Sequence, residues 1–76
     1  MFLPKKIIQC RKEKKISSET LVKELSKHGL DVSRQTIGNW ETGLTTPNCK
    51  QLAEIAMYFG KPITYFFILK HNRKQK

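Results

Sequence analysis

Residues that start and stop helices divide most of this chain into short segments. Ser17, Ser33 and Asn48 can each cap a helix N-terminus, because their side-chain oxygens accept hydrogen bonds from the unpaired N–H groups of the first turn. Glycines stand at positions 29, 43 and 60, where each can adopt the left-handed conformation that ends a helix. This spacing predicts three consecutive helices, each roughly ten residues long.

Two further elements flank these three helices. Pro4 suits a first helical turn, and apolar residues follow it at spacings of three and four, so residues 4–14 are predicted to form an amphipathic helix. Pro62 opens the last element, whose run ITYFFIL is apolar on almost every side. Its β-branched and aromatic residues are compatible with a strand, but we favour a helix because proline fits its first turn. The chain is therefore predicted to be all-α, with five helices in one compact domain over residues 1–70.

The segment that follows Ser33 has an unusual outer side. Ile37 and Trp40 lie one turn apart and point inward, as they would in a core-facing helix. The opposite side consists of Gln35, Gly38, Asn39 and Thr42. It carries no charge apart from Arg34 at its N-terminal edge, and its side chains donate and accept hydrogen bonds. These properties predict a surface that contacts a partner.

In the fourth helix, the predicted core stripe consists of Cys49, Leu52, Ile55, Ala56 and Phe59.

Charge indicates what that partner is. The chain has 15 lysines and arginines against 6 acidic residues, a formal net charge of +9 that attracts polyanions. Nucleic acid is the first partner class that this charge favours, and an anionic membrane is the second. At 76 residues the core is small, so a second protomer could add to stability. We expect no separate sensor domain.

Other functional classes lack the residues that they need. No apolar run reaches the roughly 18 residues that span a bilayer, and charges interrupt the N-terminal stretch, so we expect a cytoplasmic protein without a membrane partner. Cys10 and Cys49 lie far apart, and His28 and His71 add no metal-ligand spacing. We therefore expect no metal, cofactor, small-molecule substrate or enzymatic activity. Residues 71–76 are expected to form a disordered basic tail.

Most of the chain, from about Leu3 to Phe67, resembles the lambda-repressor-like helix-turn-helix family, also called the Cro or XRE type. The resemblance rests on Arg11 late in helix one, on SSETLVKEL and VSRQTIGNWETG, on the Pro47 loop and on LAEIAMYFGKPITYFF. The block VSRQTI..WE.G is its specific part. SKHGLD makes the junction between helices two and three longer than the family's usual turn, and we expect an extra turn on helix two with Leu30 closing against the core.

The resemblance implies a transcriptional regulator that binds double-stranded DNA and places its third helix in the major groove. Either a repressor or an activator fits, and we favour a repressor that works as a homodimer. Base contacts are implied at Arg34, Gln35, Gly38 and Asn39. Arginine suits guanine and the amide side chains suit adenine, because each can form two hydrogen bonds to one base edge. A glycine inside a helix costs about 1 kcal/mol, so Gly38 indicates close approach to DNA, although a tolerated surface glycine is the alternative.

Phosphate contacts are expected at the N-termini of helices two and three, because the unpaired N–H groups there favour anions. Further phosphate contacts are expected in the loop after helix three. The candidates are Ser17, Ser18, Ser33, Thr36, Thr42, Thr45, Thr46 and Lys50. Helix capping alone is the other interpretation of Ser17 and Ser33.

Two other groups of residues are predicted to act within or between protomers. Arg11 and Glu41 both face inward and would be costly unpaired, so we expect a structural salt bridge between them.

The surplus of apolar residues in the last element predicts a two-fold interface. Its members are Tyr65, Phe66, Phe67, Ile68 and Leu69.

Two rival binding functions remain open from the sequence. One is a protein-interaction module, such as an antitoxin or an anti-repressor, that uses the same fold without DNA. A pure protein binder needs neither the +9 charge nor the polar outer side of helix three. The other is RNA binding, which generally exposes aromatic residues for stacking, whereas the aromatics here group in the core and the last element.

Overall fold

A computed structural model of the chain describes residues 1–67, which form four α-helices and one short 3₁₀ turn. In chain order these are α1 (Pro4–Lys14), α2 (Ser18–Lys27), α3 (Arg34–Thr42), α4 (Cys49–Phe59) and the 3₁₀ turn Ile63–Phe66. Helix α1 makes its most extensive contacts with α3, and α2 packs on both α3 and α4. The four helices thus enclose a single core.

The three predicted N-caps form the expected hydrogen bonds. Ser17 accepts from the N–H of Thr20, and Ser33 accepts from that of Thr36. Asn48 forms a complete capping box, in which its side chain accepts from the Gln51 N–H and the Gln51 side chain accepts from the Asn48 N–H, both at 2.8 Å. Local sequence therefore sets where α2, α3 and α4 begin.

Each of the four helices is followed at its C-terminus by a residue with positive φ, which is glycine in three cases and lysine in one. Helices α2, α3 and α4 run into the predicted glycines, all of which have positive φ. Helix α1 uses Lys15 at φ 58°, the one non-glycine residue of the described part that has a positive φ. The N–H of Lys15 donates to the Lys12 carbonyl and that of Ile16 to the Arg11 carbonyl, which is the same pair of bonds that a glycine would form there.

The prediction of a fifth α-helix is wrong. The last element is a single 3₁₀ turn, after which Phe67 becomes extended and forms an isolated antiparallel bridge with Phe2. The Leu3 N–H donates to the Phe66 carbonyl at 2.7 Å, so pairing with the N-terminal segment replaces further helical bonds. Ile68, Leu69 and the predicted tail 71–76 lie outside the described residues.

The core contains the inward-facing residues predicted for α3 and α4, with one correction. Its fully buried members come from every helix and from the 3₁₀ turn, and include Ile7, Leu21, Leu25, Ile37, Leu52, Ile55 and Phe66. Cys49 was expected on the core stripe of α4 but is exposed, because it is the first residue of the helix and lies at the end of its packed side. Pro47, two residues earlier, is buried instead.

Residues 28–33 form the long junction between α2 and α3. Gly29 ends α2 at φ 90°, and Leu30 packs against the core as predicted. Ser26 donates a hydrogen bond of 2.7 Å to the Asp31 carboxylate, which ties the end of α2 to the middle of the junction. The longer connection is therefore held at two points before Ser33 starts α3.

Replacing Lys15 with glycine should stabilise the protein by about 1 kcal/mol, because the left-handed conformation is strained for a residue with a Cβ. Urea unfolding followed by circular dichroism measures the change. Lys12→Gly is the matched control, since it also removes an exposed lysine near the C-terminus of α1 but lies within the helix, at a helical φ. It should destabilise by about 1 kcal/mol, and a loss of stability in Lys15→Gly would contradict the prediction.

Candidate nucleic-acid interface

Helix α3 has one side in the core and one side open to solvent. Ile37 and Trp40 are 0% and 2% exposed, whereas Gln35 is exposed and both Gly38 and Asn39 are half-buried. Positions 34, 35, 38 and 39 share one side of a helix, because they are separated by one, four and five residues. The structure thus brings the four predicted base-contacting residues together on the accessible side of α3.

Arg34 makes a contact that the sequence did not reveal. It is the first residue of α3, and its Nη1 donates to Glu19 Oε2 of α2 at 3.1 Å. A cation at a helix N-terminus is unfavourable because the backbone dipoles already make that end positive. The Glu19 carboxylate offsets this repulsion from a position 15 residues earlier in the chain, a separation that no helical spacing rule covers.

The two helix N-termini on this side carry the predicted phosphate-contacting hydroxyls. Ser17 and Ser33 both act as caps, and their Oγ atoms also lie 3.1 and 3.0 Å from the hydroxyls of Thr20 and Thr36. Capping therefore accounts for both serines in the free protein. The remaining first-turn N–H groups lack partners within their helices and favour an anion. Ser18 and Thr36 are half-buried beside them.

The loop after α3 provides the other predicted phosphate contacts. Thr42 Oγ1 donates to the Asn39 carbonyl at 3.2 Å, and the Thr45 N–H donates to the same carbonyl at 3.3 Å. These bonds hold the start of the loop against the last turn of α3. Thr45, Thr46 and Lys50 are exposed beyond it, so their side chains are free to meet a partner.

An ion pair between α1 and α3 fixes the orientation of this surface. Arg11 Nε lies 2.8 Å from Glu41 Oε2, and Arg11 Nη2 donates to Glu41 Oε1 at 3.2 Å. The third nitrogen, Nη1, donates to the Ile16 carbonyl in the turn before α2. The two side chains are only 19% and 11% exposed, so the pair is largely shielded from water. It belongs to the scaffold and lies apart from the accessible side of α3.

The residues predicted for a two-fold interface differ in accessibility. Phe66 is fully buried and therefore belongs to the core of the protomer. Tyr65 is half-buried, and the ammonium groups of Lys6 and Lys61 lie 4.6 and 4.9 Å from its ring centroid. Phe67 is half-buried and packs edge-on against Phe2.

Residues 1–67 of the structure also bear on metal binding, thiol reactivity and membrane spanning. Within residues 1–67, no three histidine, cysteine or acidic side chains come together in a way that could hold a metal ion. Burial, with a smaller contribution from the Glu13 carboxylate, raises the pKa of the Cys10 thiol, which favours the unreactive protonated form. No helix in that range is long and apolar enough to cross a membrane.

Comparison with known protein families matches residues 7–66 to the family described as Helix-turn-helix. The match covers most of the chain, from α1 through the 3₁₀ turn, and the chain belongs to this Cro/XRE-type family of DNA-binding transcription regulators. Searches of curated proteins and of solved structures return no match. The resemblance expected from the motif VSRQTI..WE.G is thereby confirmed.

Replacing Gly38 with alanine should separate protein stability from DNA binding. A Cβ at this position would meet nothing within 4 Å, and Gly38 is helical, so alanine should stabilise the free protein by about 1 kcal/mol. If DNA approaches the backbone here, the same methyl should weaken DNA binding. Thermal unfolding and duplex titration measure the two effects.

Gly60→Ala is the matched control for this pair of measurements. Its Cβ would also meet nothing within 4 Å, but its φ of 69° disfavours alanine. It should therefore destabilise the protein and leave the intrinsic affinity for DNA unchanged. Unchanged affinity in Gly38→Ala would show that Gly38 is a tolerated surface glycine.

Proposed function

We propose that this chain is a transcriptional repressor that binds double-stranded DNA sequence-specifically, with the accessible side of α3 in the major groove. The groove is about 12 Å wide and admits one helix, and its base edges display distinct patterns of donors and acceptors. The observation that carries the proposal is the uncharged, hydrogen-bonding side of α3, which points away from the core on a chain of net charge +9.

Each predicted contact has a role in this proposal. Arg34 pairs with guanine through two hydrogen bonds, and Gln35 and Asn39 pair with adenine. Gly38 lets the backbone approach the bases. The N-termini of α2 and α3 receive phosphates, together with Ser17, Ser18, Ser33, Thr36, Thr42, Thr45, Thr46 and Lys50. Phosphate contacts supply affinity and register, and base contacts supply the choice of sequence.

The proposal includes a homodimer on a palindromic site. The half-buried Tyr65 and Phe67 leave aromatic surface at the end of the domain, next to Ile68 and Leu69 in sequence. A two-fold axis there would place two α3 helices in successive major grooves, about 34 Å apart. A dimer that occupies such a site would repress transcription by excluding other proteins from it.

Selection of bound duplexes from a random library tests DNA binding, sequence choice and symmetry together. The wild-type chain should enrich one motif with two inverted half-sites. Arg34→Ala should relax the motif at one or two base pairs per half-site and cost about 1 to 3 kcal/mol on the original motif. Lys50→Ala should weaken binding to all duplexes alike, because a phosphate contact does not depend on sequence.

Lys27→Ala is the control for the loss of one positive charge, since Lys27 lies at the opposite end of α2 from Ser17 and pairs with Glu24. It should affect binding less than Lys50→Ala does. Enrichment of a single half-site would contradict the dimer. An unchanged motif in Arg34→Ala would contradict the base-reading side, and no enrichment at all would contradict DNA binding and favour a protein-interaction module.

A further inference from the structure

We propose that Glu19 is a positioning residue that orients Arg34 for base reading and thereby sets sequence specificity. This inference rests on the proposed function, and it concerns an acidic residue at the edge of a surface meant to face phosphates. Glu19 Oε2 lies 3.1 Å from Arg34 Nη1, and the two residues join α2 to the first residue of α3.

Stability explains little of this ion pair, although the Glu19 carboxylate offsets the repulsion between Arg34 and the N-terminus of α3. The Glu19 and Arg34 side chains are 69% and 66% exposed, and pairs in contact with water contribute little to folding. Glu19 also lies in the first turn of α2, where a carboxylate is favourable. That preference accounts for an acidic residue at this position, but it does not account for the contact with α3.

The geometry leaves Arg34 able to read a base while Glu19 holds it. A guanidinium has five N–H donors in a planar fork, and only Nη1 is engaged with the carboxylate. The edge formed by Nε and Nη2 remains available for the two acceptors of guanine. Glu19 and Arg34 line a shallow depression between α2 and α3 together with Val22 and Lys23, and the arginine stem can lie against Val22.

Charge balance adds to this selectivity. A free arginine at the surface would be attracted to any phosphate and would strengthen binding to every sequence. Paired with Glu19, Arg34 presents little net charge to the DNA backbone. Its contribution to binding then comes mainly from hydrogen bonds to a base edge, which only the correct sequence provides.

Glu19→Gln tests the inference because it removes the charge and keeps the shape of the side chain. We call the base pair at which Arg34→Ala relaxes the selected motif the Arg34-dependent base pair. Glu19→Gln should reduce about fivefold the preference for the selected motif over the same motif substituted at that base pair. Affinity for unrelated duplexes should rise at low salt. Titrations of three duplexes, namely the selected motif, its single substitution and an unrelated sequence, measure both effects.

Glu24→Gln is the matched control. It removes the same charge from the same helix, but Glu24 pairs with Lys27 within α2 and not with α3. Its preference at the Arg34-dependent base pair should equal that of the wild type. In an Arg34→Ala background, Glu19→Gln should leave the preference at that base pair unchanged, because the residue through which it acts is absent.

Two outcomes overturn the inference, and they are distinguishable. If the wild type selects a motif and Glu19→Gln keeps the full preference at the Arg34-dependent base pair, Glu19 is not a positioning residue and the proposed function stands. If the wild type selects no motif, the proposed function fails and this inference fails with it. Circular dichroism of each variant shows that the helices are retained.

Discussion

The ion pair between Arg11 and Glu41 holds α3 against α1 and so supports the orientation in which one side of α3 faces outward. Three nitrogens of one guanidinium bind the Glu41 carboxylate and the Ile16 carbonyl, so one side chain connects α1, the turn before α2 and α3. Loss of either partner would leave a largely shielded charge alone, which commonly costs several kcal/mol. The pair therefore supports one orientation of α3, with Ile37 and Trp40 in the core and the hydrogen-bonding side accessible to solvent.

Signals confined to a few neighbouring residues were sufficient to predict the four α-helices, although they also predicted a fifth that does not form within residues 1–67. Ser33 begins α3 and Gly43 ends it, because the cap hydroxyl and the left-handed glycine act on backbone groups within one turn. The spacing of Ile37 and Trp40 predicted the buried side of this helix, and the four predicted base-contacting positions lie on its other side. The Arg11–Glu41 contact was also expected, because the family resemblance and the inward position of both charges agree.

Apart from the Arg11–Glu41 pair, features that depend on contacts between distant segments were not predicted. The Glu19–Arg34 pair joins two helices across a turn whose length differs from the usual one, so their relative placement could not be read from spacing. The last element ends in a bridge to Phe2, and a single sequence does not reveal that its ends meet. Cys49 fits the apolar period of α4, but the packed side of that helix does not extend to its first residue. Lys15 has the left-handed conformation without the glycine that would have indicated it.

The surface combines attraction that ignores sequence with contacts that depend on it. In the proposed complex, net charge and helix N-termini would draw the protein to any duplex, whereas Arg34, Gln35 and Asn39 would distinguish one base edge from another. The orientation of α3 on DNA is tested most directly by amide NMR of the labelled chain during titration with its selected duplex. The largest shifts should fall on the backbone of Gly38 and on the side-chain amides of Gln35 and Asn39. Unchanged signals from these three residues, with shifts confined to exposed residues of α4 such as Ala53 and Met57, would contradict the proposed interface.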